Sequence, residues 1–268
     1  MNDPNTSRAV LASAAYASGQ HLSARQALYD HQTPTYDIPG IVVSQLSGRS
    51  GIVIDVGCGN GRYVKRLHTD RPTDLHVVGL DIAAGILRDV PPPVVVADAA
   101  RLPLRDHCAH GLLAMHMLYH VTDIKAGLAE LARLLHADGV LIASTNALTD
   151  KRELDDLWSA AAADVLGTAA GPQRISLSSR FPLDTAAERL GRYFHEVQVI
   201  ELPGTITVYN AEPVVAHLGS YRAWAHQAGV PFEPTLHRIR QRLNTAINRH
   251  GRFDITCLGG VIVCSDPR

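Results

Sequence analysis

The sequence predicts an α/β protein: a doubly wound, mostly parallel seven-stranded sheet, with N-terminal helices and a helical cap inserted before the last strand. Three observations lead there. Short apolar runs alternate with helical stretches between residues 51 and 145. A glycine-rich turn, 57–61, follows the first of those runs directly. Beyond residue 145 the rhythm changes, and a long helical excursion separates two late strand-like segments.

The elements follow in order. Ser23 with Gln26 reads as a capping box that fixes a helix start near Ser23. Pro39 opens the next helix, which leads through 40–48. Apolar runs at 51–56, 75–80, 93–97, 111–116 and 140–145 read as strands. Before the fifth, Ile124, Leu128, Leu131 and Leu135 recur at helical spacing, and Gly139 stops that helix. Strands joined by such crossovers pair in parallel and bind ligands at their carboxyl ends. Later come helices over 149–167 and 183–194, a strand at 195–202, helices at 211–227 and 235–250, and a strand at 252–264. The domain reading is an N-terminal helical lid, 1–48, on an α/β domain, 49–268, with cap insertions at about 150–181 and 210–251.

Composition is that of an ordinary globular chain. Its 268 residues are 46% hydrophobic with a net charge of −1, enough for one large domain and no sign of a nucleic-acid or membrane partner. The longest apolar runs are too short to span a bilayer. The opening "MNDPNTSRAV" lacks the basic region and apolar core of a secretory signal. Cys58, Cys108, Cys257 and Cys264 show neither Cys-x-x-Cys nor metal spacing, so they read as reduced thiols of a cytoplasmic protein. Cys257 and Cys264 would face opposite sides of one strand.

The glycine turn selects among nucleotide ligands. A dinucleotide fold uses Gly-x-Gly-x-x-Gly. Here Gly57, Gly59 and Gly61 follow Gly-x-Gly-x-Gly, and Arg62 fills the third-glycine position. Asp55 lies two residues before the turn, where it would repel a diphosphate but suits a ligand carrying an amino group and a sulfonium. "VIDVGCGNG" resembles the first motif of class I S-adenosylmethionine-dependent methyltransferases, of the small-molecule, type 11-like kind. "VVGLDI", "VVVADAARLPL", "LLAMHMLYHVTD" and "LARLLHADGVLIAST" follow in the family's order, so the resemblance covers about residues 50–146. It implies the Rossmann-like methyltransferase fold and S-adenosylmethionine as cofactor. In the family, Asp81 stands where ribose hydroxyls are held and Asp98, with Ala99 beside it, where the adenine amino group is. The implied cofactor set is Asp55, Gly57, Cys58, Gly59, Asn60, Gly61, Asp81, Ile82, Asp98, Ala99 and Met115.

The acceptor side is less determined. His116, just past the fourth strand, is the first candidate for a general base, since imidazole suits neutral pH; the competing reading is a polar group packed on the adenine or capping the next turn. Tyr119 and His120 are secondary candidates, His120 also fitting a structural role before the helix start. His116 and His120 have no third ligand in view, so no metal is expected. Arg25, Tyr29, His31 and Tyr36 could reach substrate from the lid, or simply belong to a solvated amphipathic helix.

In helix 235–252, Arg238, Arg242 and Arg249, with Arg240 and Arg252 nearby, oppose Leu236, Ile239, Leu243 and Ile247. Such a stripe meets RNA phosphates or only solvent, and no interleaved aromatics support base stacking. Trp158 and Trp224 either line an apolar acceptor pocket or pack the cap on the core. The functional expectation is in-line methyl transfer to a small molecule of specialised metabolism. The alternatives are an RNA or tRNA methyltransferase and a non-catalytic cofactor-binding partner. The acceptor atom and the oligomeric state are left open by the sequence.

Overall fold

The computed structural model describes residues 6–70 and 74–268; the first five residues, where the expected lid begins, lie outside the described residues. The strands are β1 (Gln32–Thr33), β2 (Gly51–Val56), β3 (Leu75–Asp81), β4 (Val94–Val96), β5 (Ala109–Met115), β6 (Leu135–Asn146), β7 (Phe194–Val208) and β8 (Phe253–Pro267). The helices are α1 (Arg8–Val10), α2 (Gln20–Ala27), α3 (Ile38–Gln45), α4 (Arg62–Asp70), α5 (Ile124–Leu134), α6 (Arg152–Leu166), α7 (Leu183–Leu190), α8 (Glu212–Gly219) and α9 (Phe232–His250).

One sheet carries all the described strands in the order β1-β7-β8-β6-β5-β2-β3-β4. From β4 to β6 neighbours are parallel; β8, β7 and β1 join antiparallel. The expected seven strands are present, and the two-residue β1 adds an eighth at the edge of β7.

Successive residues of the central strands feed opposite cores, as the two-residue strand period requires. Ile54 and Leu112 pack with Leu128 and Leu131 of α5 and Ala186 and Leu190 of α7. Val53 and Leu113 pack on the other face with Val42 of α3 and Val64 and Leu67 of α4. A third core stands beyond the sheet: Ile206 and Ile255 meet Leu154 and Trp158 of α6, Leu218 of α8 and Ile239 and Leu243 of α9. Cys257 lies in this third core and Cys264 in the first, both as free thiols.

Several element boundaries differ from expectation, three of them in α2, α5 and β7. The α2 helix starts at Gln20 after Gly19, and Ser23 N–H donates to Gly19 C=O inside the helix rather than capping it. Gln26 instead accepts from Asn60 Nδ2 at 3.0 Å. The α5 helix is capped by Asp123, which accepts from Ala126 N–H, and ends at Leu134 rather than Gly139. Leu135 pairs with Ala109 as the first residue of β6, and a register shift absorbs the following residues. Strand β7 runs on through Pro203 and Gly204 to Val208, so β7 and β8 form an antiparallel pair that extends past the end of β6, with the cap helices inserted between them.

Candidate functional site

A cavity of about 330 Å3 opens where β2, β3 and β5 end. Gly57, Cys58, Gly59, Asn60, Asp81, Ile82, Asp98, Ala99 and Met115 line one part of it. Gly57 and Gly59 have φ of 70° and 56°, in the left-handed region that favours glycine. A Cβ at Gly57 would lie 2.8 Å from Met117 Cβ, so the turn is closed to larger residues. Gly61 has the same backbone sense but sits behind the wall, where its carbonyl accepts from Lys65 N–H at the start of α4.

Asp81 is fixed from both sides. Its Oδ2 accepts from Gly59 N–H and its Oδ1 from Ala83 N–H, each at 2.9 Å. Burial raises its carboxyl, and those backbone donors oppose the shift. Asp98 accepts from Ala100 N–H at 3.0 Å and pairs with Arg8 of α1 at 2.9 Å.

The structure does not bring Asp55 to the cavity wall. Its carboxyl is fully buried beneath the turn, close enough for its charge to act on Cys58 and Tyr63. Neither oxygen has a hydrogen-bond partner among the described residues, and burial with the neighbouring Asp81 charge pushes the carboxyl up to about 8.

His116 leaves β5 with φ 53° while its N–H still donates to Ser144 C=O at 3.0 Å, and it lines the cavity. Burial, with the Lys151 charge beyond it, pushes the imidazole down to about 4, so the ring is neutral at pH 7. Tyr119 and His120 also line the cavity. His120 Nε2 is 2.7 Å from Tyr16 Oη, and its ring stacks on Trp224 with 11° between planes.

Arg25, Tyr29 and Tyr36 reach the cavity; His31 does not. Tyr36 O–H donates to Pro203 C=O at 2.8 Å, pinning the lid to β7. Tyr29 oxygen accepts from Lys151 Nζ at 2.5 Å and Asn146 Nδ2 at 3.3 Å. Lys151 is buried at φ 60° and pairs with Asp150, whose other oxygen accepts from Leu258 N–H. Its ammonium is thereby held charged against the cost of burial.

Sequence reasoning missed this second part of the wall: Asn146, Asp150, Lys151, Arg174, Ser176, His217 and Tyr221. Asn146 alone carried a signal, as the last residue of a parallel strand. Its neighbours arrive from the cap and from contacts over a hundred residues apart in the chain, such as Lys151 with Tyr29.

Neither tryptophan lines the cavity: Trp158 packs on Phe232 at 5.5 Å, and Trp224 is buried with Leu11, Ala15 and Leu177. On α9, Arg238 and Arg242 both donate to Asp164 Oδ2 at 2.7 Å, which pulls that carboxyl down to about 2. Arg240 pairs with Glu212 and Arg252 with Asp254. Among the described residues there is no cluster of three metal-binding side chains and no helix long and apolar enough to cross a membrane.

Comparison with known proteins fits this geometry. Residues 54–143 match a family model described as a methyltransferase domain. The malonyl-[acyl-carrier protein] O-methyltransferase of Serratia marcescens is 32% identical over 111 residues, 40% of this chain and 42% of that protein. A tRNA (carboxymethyluridine(34)-5-O)-methyltransferase of Arabidopsis thaliana is 27% identical over 128 residues, 45% of this chain and 30% of that protein. The chain thus matches less than half the length of either relative. In fold it resembles the crystal structure of a presumed methyltransferase from an antibiotic biosynthesis pathway of Anabaena variabilis. That likeness has a TM-score of 0.57 at 17% identity and covers 84% of this chain and 96% of that one.

Proposed function

We propose that this chain, whose residues 54–143 match a methyltransferase-domain model, is a class I S-adenosylmethionine-dependent methyltransferase that transfers the cofactor's methyl group, by in-line displacement, to a small-molecule acceptor of specialised metabolism. One observation carries the small-molecule reading: the cofactor wall and a second, polar wall under the cap bound the same cavity of about 330 Å3. That volume suits a small ligand held in a largely preformed site. The acyl-carrier substrate of the Serratia marcescens relative and the antibiotic pathway named for the Anabaena variabilis protein are in line with it.

The residues fit the cofactor. The glycine turn lets a ligand approach the backbone, Asp81 is a rigid carboxylate for ribose hydroxyls, and Asp98 stands where it would accept from the adenine amino group. The Asp55 carboxyl, buried beneath the turn and pushed up to about 8, is mostly neutral at pH 7 and stands outside the cavity wall rather than facing the ligand. Bound in this way, S-adenosylmethionine supplies a methyl group on a sulfonium, activated without help from the protein.

What the chain adds is alignment, which can be worth about 7–11 kcal/mol. His116, neutral and pushed down to about 4, is a weak base that accepts a hydrogen bond better than it keeps a proton. His116 therefore orients the acceptor, with Tyr29, Asn146 and Lys151 across the cavity. The paired arginines of α9 give RNA phosphates little free charge to meet.

The test uses S-adenosylmethionine labelled in its methyl group, incubated with the protein and either a small-metabolite extract or total tRNA. Label in the small-molecule fraction is the expected result. Label in tRNA alone would replace the acceptor class, and cofactor binding with no transfer to either would favour a non-catalytic partner.

A further inference from the structure

Arg25 brings an unmatched charge to the cavity. Its Nη1 and Nη2 are shut off from solvent, and neither donates a hydrogen bond to any described residue. The other buried cations of the wall are matched: Lys151 by Asp150 at 2.5 Å and Arg174 by Asp155 at 2.8 Å. Arg25 instead lies over aromatic faces, with ring centres of Tyr16, Tyr221 and Trp224 at 5.0, 5.5 and 5.9 Å. Aromatic faces offset part of a cation's lost hydration but accept no N–H in its plane. A buried guanidinium in that state is unfavourable until an anion joins it.

Position indicates which molecule brings the anion. The next residue along α2, Gln26, reaches Asn60 in the glycine turn at 3.0 Å. Arg25 is rotated about 100° from Gln26 around the helix. Its head lies among rings from the segment between α8 and α9, on the cap side of the cavity. Tyr29, four residues on, lines the same cavity and meets the Lys151 and Asn146 groups of the second wall.

We propose that Arg25 receives a carboxylate of the methyl acceptor, so that the substrates of this protein are small carboxylic acids. The inference rests on the methyltransferase reading above. A guanidinium presents two parallel N–H donors that match the two oxygens of a carboxylate, which fixes orientation as well as charge. The cofactor's own amino-acid carboxylate offers the same chemistry, and the experiment separates the two sources.

Calorimetry is run on the wild type, R25M and R25K, first with S-adenosylhomocysteine and with 5′-methylthioadenosine, which lacks the amino-acid carboxylate. Benzoate and its uncharged counterpart benzamide are then titrated into protein saturated with S-adenosylhomocysteine. The expected result is benzoate binding about tenfold or more tighter than benzamide in the wild type. That preference disappears in R25M and survives in part in R25K, while S-adenosylhomocysteine affinity stays within about threefold. Equal binding, or no binding, of benzoate and benzamide overturns the proposal. A tenfold loss of S-adenosylhomocysteine affinity in R25M, with 5′-methylthioadenosine unchanged, gives the carboxylate to the cofactor and overturns it too. Failure of the wild type to bind S-adenosylhomocysteine would instead sink the methyltransferase reading. Circular dichroism checks folding, and R25Q, which keeps a polar head, replaces R25M if that variant is unfolded.

Discussion

The backbone N–H of Gly59 donates to Asp81 Oδ2 at 2.9 Å, which ties the glycine turn to the end of β3. The other Asp81 oxygen holds Ala83, so a single carboxylate shapes both backbone segments that face the cavity. Asp81→Ala leaves those donors without their acceptor, at about 1–3 kcal/mol each where they are buried. It also removes the group assigned to the ribose hydroxyls. The expected outcome is a folded protein with S-adenosylhomocysteine affinity lowered by about 30-fold or more, a loss near 2 kcal/mol, measured by calorimetry. Affinity kept within a few-fold would mean the ribose is held elsewhere.

Asp55 predicts an alkaline weakness. Its folded carboxyl titrates at about 8, against about 3.9 in the unfolded chain. A raised folded value adds stability that is complete below pH 4 and is lost as pH rises toward 8. Asp55→Asn has no proton to lose. Free of ligand, the variant should gain melting temperature over the wild type as pH rises from 5 to 8, with the gap levelling off above 8. Parallel melting curves of the two proteins over that range would show that Asp55 has a partner at the buried site.

His116 and His217 predict the opposite limb. Burial lowers both imidazoles, His116 to about 4. Between about pH 6.5 and 4 the unfolded chain binds protons that the folded one refuses, so stability falls as pH falls, by up to about 1.4 kcal/mol per unit for each group. His116→Asn is the informative variant, because asparagine tolerates the positive φ at this position. Urea titrations should show the loss from pH 6.5 to 4.5 reduced in the variant, with His217 and His21, also lowered, contributing to what remains. An unchanged slope would place the His116 ring in water.

Which parts of the site could be read in the sequence follows from how they are built. The glycine turn, Asp81 and Asp98 lie at the ends of parallel strands, and a strand's end is visible as the edge of an apolar run. Asp55 was legible as an acid but not as a buried one, because its burial comes from tertiary packing that no local pattern shows. The Lys151 cluster was not legible: its φ of 60° and its reach to Tyr29 come from tertiary packing, not from local pattern. Pro203 and Gly204 hid the extension of β7, since both usually break strands. Here Pro203 sits near the sheet edge, and Gly204 leaves room for the Gln32 side chain, which lies where a Cβ would.

The α9 stripe looked basic in sequence and is partly neutralised in three dimensions, a difference that an RNA-binding measurement can read. Asp164 comes from α6, and its Oδ2 accepts from both Arg238 and Arg242. In mobility shifts with total tRNA, the wild type should show only weak binding even at low salt, where phosphate contacts are strongest. Asp164→Ala frees both guanidinium groups. It should tighten tRNA binding and steepen its dependence on salt, because each phosphate contact adds about −0.9 to the slope for a duplex and about −0.7 for a single strand. Labelled methyl groups should still not enter the tRNA, since freeing surface arginines does not open the cavity beneath the cap. Tight, salt-sensitive wild-type binding that Asp164→Ala leaves unaltered would show that another surface holds RNA.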